Sequence, residues 1–399
     1  MKKIKLGLLP KIIIAILLGT LLGGVLPEWC SRIFITFNGL FSQLLGFVVP
    51  LIIVGLVTPA IAEIGQGAKK MLIATTLLAY STTLVAGSLS YFTGVLTFPS
   101  LIDSQLAVDS AAQAVKIAPY FSIDIPPLMG VMTALITSFV FGLGIAYLQG
   151  DVLRRGADEL REVVTMLIRG VIIPLLPLYI FGIFLDITAA GEVMRVLEVF
   201  VKIIGVIFVL HIVWLLLLYG FAGTMTKRNP LKMLATMMPA YFTALGTQSS
   251  AATIPVTLEQ TRKMGVSDGV SGFVIPLCAT IHLSGSMLKI VACALALMIM
   301  QGIEYDFGLF FGFICMLGIT MVAAPGVPGG AIMAALGVLS SMLGFTPDDQ
   351  ALMISLYVAM DSFGTACNVT GDGALAVIID NAKIAADTRK SVISELKID

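Results

Sequence analysis

What most constrains this chain is the length of its charge-free apolar runs. Residues 11–29, 33–62, 71–98 and 203–223 are almost free of ionisable side chains, and about 18–20 such residues let a helix cross ~30 Å of hydrocarbon. Within a bilayer no water is available to backbone amides, so runs of this length read as helices. Composition agrees: 58% hydrophobic residues and 12% charged residues, with a mean hydropathy of +1.02, lie outside the range of soluble globular domains. The first run is followed by no small-residue cleavage site and is read as a span rather than a secretory signal. The five cysteines are odd in number, and Cys278, Cys293, Cys315 and Cys367 lie in apolar runs. They read as packing residues rather than a disulfide framework or metal site. The zero net charge says nothing about partners; no nucleic-acid partner is expected, and the expected neighbours are lipid and a small solute.

Basic residues give an orientation. Spans are expected at 11–29, 33–62, 71–98, 128–149, 163–188 and 197–222. With a cytoplasmic N-terminus, the inside segments hold Lys2, Lys3, Lys5 and Lys11, then Lys69 and Lys70, then Arg154, Arg155 and Arg161, then Lys227, Arg228 and Lys232. That pattern follows the positive-inside rule and puts the chain in the cell membrane.

Beyond residue 233 single crossings no longer fit. The stretch from Lys232 to Lys263 begins and ends with basic residues, so it reads as a hairpin whose tip is the small, polar 247–252. The apolar run 270–300 then crosses outward. A further apolar stretch breaks at 324–330 (APGVPGG) and returns to the acidic TPDD, a second hairpin entering from the other face. A last helix, about 350–382, runs back to Lys383, Arg389 and Lys390, which leaves the C-terminus inside as well. Paired short-armed segments at membrane depth are a pointer to a transporter site at the midplane.

The last helix carries DSFGTACNVTGDGA (361–374). Asp361, Thr365, Asn368 and Asp372 stand at i, i+4, i+7 and i+11, one helical face about 16 Å long. An ionisable residue at such depth marks function by default. In the first tip, Ser249 and Ser250 can offer hydroxyls and backbone N–H groups to an anion at the head of a helix, against the alternative of a plain tight turn. In the second, Gly326, Pro328, Gly329 and Gly330 make a thin tip suited to a gate, against the alternative of a periplasmic loop.

The motifs TQSSAATIPVT, PLCATIHLSGS, GVPGGAIM and DSFGTACNVTGD, in this order and spacing, resemble the dicarboxylate/amino acid:cation symporters. Within that family they are most similar to the serine/threonine:sodium branch. The resemblance implies an all-α membrane fold with eight transmembrane helices and two re-entrant helical hairpins, assembled as a homotrimer. It implies a scaffold near 11–62 and 128–188, and a transport part near 71–98 and 197–386 that moves as an elevator. Substrate would be held by Ser249, Ser250, Val327, Gly329, Asp361, Thr365 and Asn368, and a sodium ion by Asn368, Asp372, Thr280 and His282. Helix 3 ligands would fall among Tyr80, Ser81, Thr82 and Thr83. The expected activity is sodium-coupled symport of a small neutral amino acid.

Three departures from the family pattern bear on that expectation. The arginine of the acidic-substrate branch is replaced by Gly364, which leaves a side-chain carboxylate without a bidentate partner. The family's Asn-Met-Asp-Gly-Thr reads His282-Leu283-Ser284-Gly285-Ser286, so a sodium-ligating Asp has become Ser284, and His282 and Ser284 become candidate coupling residues. Lys289 lies seven residues past His282, about 10 Å along the same helical face, with too much span on either side to snorkel. It can be a structural partner of a buried acid, a receptor for an acidic substrate, or a tethered stand-in for a coupled cation. The last reading would let a proton replace one sodium. A proton-coupled or sodium-independent transporter of a small carboxylate or acidic amino acid is therefore the alternative, with an ion channel more remote. An enzyme is not expected: Ser249, His282 and Asp372 lack a nucleophile elbow.

Overall fold

The computed structural model describes residues 8–64, 69–102, 117–148, 151–191, 193–322, 324 and 329–395; among these, all regular structure is helical. Helix α1 (Leu8–Leu22) is followed by α2 (Glu28–Ile64), α3 (Lys69–Leu101) and α4 (Val131–Leu148). The expected first span at 11–29 is thus too long. The helix ends at Leu22, ahead of Gly23 and Gly24, and Pro27, which has no N–H to donate, stands before the next one. Helices α5 (Asp151–Leu167) and α6 (Ile173–Ala189) are continuous through one π-helical turn at Ile168–Ile172, and α7 (Val193–Thr226) follows.

Among the described residues, five segments are long and apolar enough to cross a membrane, and a bent pair at the C-terminal end would make a sixth. The outward face of α7 fits a lipid neighbour, with Val201 71%, Val209 59% and Leu217 52% exposed. The protein is a multi-pass membrane protein.

The next two helices, α8 (Pro230–Thr247, 18 residues) and α9 (Ser250–Lys263, 14 residues), fold back on each other. Pro230 begins α8 behind Asn229, whose side chain accepts from the Lys232 N–H. Gln248 ends it in the left-handed region at φ 53°. At the base, the Arg228 guanidinium donates to the Met264 carbonyl at 2.8 Å, so the pair starts and finishes together. That is the hairpin expected from the basic residues at both ends.

Helix α10 (Asp268–Ile281) and α11 (Ser284–Gln301) occupy the expected 270–300 run, with a break at His282 and Leu283 that the sequence reading did not foresee. Two more short helices, α12 (Phe307–Met321) and α13 (Gly330–Leu343), pack on each other. The tip between them lies outside the described residues at 323 and 325–328, which include Gly326, Val327 and Pro328. The last helix is not the single rod expected over 350–382. It is α14 (Pro347–Ala359) and α15 (Asp361–Glu395), bent by 63° at Met360.

Helix α15 packs on α7, α8, α9, α10 and α11, while α3 packs on α11 and α12. Elsewhere α1 lies on α6, and α2 on α4, α5 and α6. Every residue from Ser284 to Ile299 of α11 is buried. The polar stripe of α15 therefore faces protein on every side rather than lipid.

Candidate functional site

The first short-armed tip, the start of α13 at Gly329 and the α11 break converge on the start of α15. From the first tip, the Gln248 side-chain amide donates to Ser362 Oγ at 2.9 Å. From the second, the Gly329 N–H donates to Asp361 Oδ2 at 2.8 Å. At the break, Asn368 Oδ1 accepts the N–H groups of Gly285 at 2.8 Å and Ser286 at 3.3 Å, and its Nδ2 donates to Ser286 Oγ at 3.1 Å. Ser286 Oγ also pairs with the Tyr357 hydroxyl at 3.0 Å. The cavity between these elements is lined by Gln248, Ser250, Tyr357, Asp361, Thr365 and Asn368 among others.

Ser249 caps α9, its side chain accepting from the Ala252 N–H at 3.3 Å. Ser250 follows as the first residue of that helix, buried and on the cavity wall. The N-terminus of α9 thus lies at the cavity, where the helix dipole favours an anion. Gly329 sits at φ 75°, a left-handed conformation that a side chain would strain. Val327 lies outside the described residues.

Lys289 does not line the cavity; its side chain is wholly buried. Its Nζ lies 3.3 Å from Asp361 Oδ1 and 3.4 Å from the Met360 carbonyl oxygen, and 3.6 Å above the centre of the Tyr357 ring. This is an ion pair with an added cation–π contact. The helix bend at Met360 supplies the carbonyl. Ser284 stands apart from Lys289 and accepts from Trp214 Nε1 at 3.1 Å. His211 Nε2 lies 3.0 Å from the Gly285 carbonyl oxygen and so ties α7 to the same break.

The side chains expected at the sodium site have protein partners. His282 Nδ1 lies 2.8 Å from Asp372 Oδ1, so an imidazole holds the carboxylate where a hard cation would want oxygen. Asn368, expected to offer its carbonyl to the ion, has its side chain engaged at the α11 break, and Thr280 is exposed, donating to the Leu277 carbonyl at 2.8 Å. On α3, Tyr80 donates to the Cys315 carbonyl at 3.0 Å, while Thr82 and Thr83 bond back to carbonyls of their own helix. Ser81 is exposed. Sodium at Asp372 would require the imidazole to move away.

The sequence reading missed the partners Gln248, Ser362, Tyr357 and Trp214. The break itself had a signal: HLSGS puts four polar or flexible residues inside an otherwise apolar run.

Comparison with known proteins bears on this geometry. The model of the sodium:dicarboxylate symporter family matches residues 8–382. The chain is 26% identical over 413 residues to serine/threonine transporter SstT of Acinetobacter baylyi, covering 95% of this chain and 98% of that protein. The SstT of Acinetobacter baumannii is likewise 26% identical, over 94% and 97%. Excitatory amino acid transporter 1 of Bos taurus is 30% identical over 250 residues, 61% of this chain. That match spans 45% of the length of the bovine protein, so the chain covers less than half of it. All of these are transporters rather than enzymes.

Proposed function

Given that the chain belongs to the sodium:dicarboxylate symporter family, we propose that it is a secondary active symporter that carries one small carboxylate-bearing solute per cycle. The observation that supports this best is the convergence of two hairpin tips on one polar helical face, through Gln248–Ser362 and Gly329–Asp361. A site closed by tips from two short-armed hairpins can open to one side at a time, which stoichiometric transport needs and a channel does not. The solute's carboxylate would meet the start of α9 at Ser250, with hydroxyls and amides of Thr365, Asn368 and Gln248 around it. Ser249 and Gly329 would flank it from the two hairpins.

In this reading eight helices span the cell membrane, both hairpins re-enter it, and both termini are cytoplasmic. The first two helices with α4–α6 form the scaffold of a homotrimer, and the remainder moves as the elevator. The coupled ion is a cation, with sodium the ion the family is named for. No sodium step is assigned to Asp372, because His282 occupies one of its oxygens.

The relatives named for serine and threonine transport favour a neutral amino acid, and Gly364 is compatible with one. The ion pair on Asp361 favours a simple carboxylate. The experiment is uptake of labelled solutes into proteoliposomes holding the full chain, with an inward sodium gradient, an inward proton gradient, or neither. Accumulation above the outside concentration under one gradient supports symport; equilibration without accumulation would point to a channel.

A further inference from the structure

Asp361 has an ammonium of the protein's own on it. Lys289 lies in the second turn of α11, fully buried, and reaches Asp361 Oδ1 at 3.3 Å. The other oxygen, Oδ2, takes the Gly329 N–H at 2.8 Å. Both carboxylate oxygens are engaged, and the charge is cancelled within the fold.

The lysine is also fixed in place. Its end rests on Met360 and the Tyr357 ring, and its stem runs over Gly364, the residue whose missing side chain makes the room. An incoming solute with an ammonium group would have to displace Lys289 from Asp361. That would leave one of two ammonium groups buried without a counter-charge, which is strongly disfavoured. A solute bringing only a carboxylate meets no such obstacle. The first turn of α9 at Ser250 and the Gln248 side chain line the cavity it would enter, and Asp361 is already neutralised.

We propose that Lys289 determines specificity by serving as a built-in ammonium on Asp361, so that the site selects small carboxylates lacking an α-ammonium, such as 2-hydroxy acids, over amino acids. This rests on the symport reading above and names its substrate class.

The test uses pairs of solutes that differ only in hydroxyl for ammonium: glycerate against L-serine, and lactate against L-alanine. Uptake is measured in proteoliposomes containing the unmodified full chain. Glycerate is expected to be accumulated about tenfold or more in preference to serine, because the serine ammonium finds no free partner. In Lys289→Met the ratio should move toward serine by about tenfold. In the double variant Lys289→Met/Asp361→Asn, which removes both charges together, the ratio should not move toward serine as it does in Lys289→Met.

Equal or preferred uptake of serine by the unmodified protein would overturn the inference and leave the symport reading standing. So would a double variant that gains serine as the single one does. If the unmodified protein concentrates no solute of either pair, the transport reading fails and this inference falls with it. The comparison within the unmodified protein stands even if Lys289→Met does not fold.

Discussion

The Lys289 side chain crosses Gly364 so closely that a Cβ at 364 would lie 2.5 Å from Nζ and 3.0 Å from Cδ. The glycine is therefore a structural counterpart of the lysine, on a different helix. Gly364→Ala should cost about 1–3 kcal/mol as overpacking. In a Lys289→Ala background the same change should cost markedly less, since the two residues share one space. Thermal unfolding of the four proteins in detergent measures the coupling, and additive costs would remove it.

Asp361→Asn leaves the Lys289 ammonium buried with no counter-charge. A loss of about 3–5 kcal/mol is expected for breaking one side of such a pair. Asp361→Asn combined with Lys289→Met should recover most of that loss, because neither charge then remains. Thermal or denaturant unfolding reports it directly. If the single variant is as stable as the unmodified protein, the pair is not held as closely as its geometry implies.

His282 and Asp372 offer a third comparison. Replacing the imidazole by an amide in His282→Asn frees Asp372 Oδ1 and adds an oxygen donor, which a hard cation prefers. Removal of sodium from both sides should therefore depress uptake by His282→Asn more than uptake by the unmodified protein. Solute uptake with potassium in place of sodium, measured in both, supplies the answer. Equal sodium dependence would show that the imidazole does not stand in the ion's way.

Dicarboxylates should be poor substrates. The only buried lysine among the described residues is engaged by Asp361 and stays off the cavity wall, and Gly364 provides no guanidinium. Aspartate and succinate are expected to compete with a labelled monocarboxylate about tenfold less well than an unlabelled one does. Competition curves decide this. Micromolar inhibition by aspartate would require a cationic partner facing the cavity.

Much of this arrangement was legible in the residues. The basic ends of 232–263 required a hairpin, and the spacing of Asp361, Thr365, Asn368 and Asp372 put them on one face of α15. Boundaries were less legible. The end at Leu22 and the break at His282 were marked only by Gly23–Gly24 and by HLSGS, which went unused, and neither period nor hydropathy marks the bend at Met360. The pairing of Lys289 was also hidden: its partner is 72 residues away, on a helix whose rotation depends on packing. The sequence offered three roles for this lysine, and only long-range contact identifies the acid beside it.

That separation also has a bearing on biogenesis. A ribosome delivers the lysine to the membrane 72 residues before its counter-charge has been made. During that interval the helix Ser284–Gln301 holds a charged group that lipid will not tolerate. The nascent segment must wait beside water or inside the insertion machinery until Asp361 emerges. Chains truncated before that residue should accordingly be retained by quality control rather than released into the bilayer.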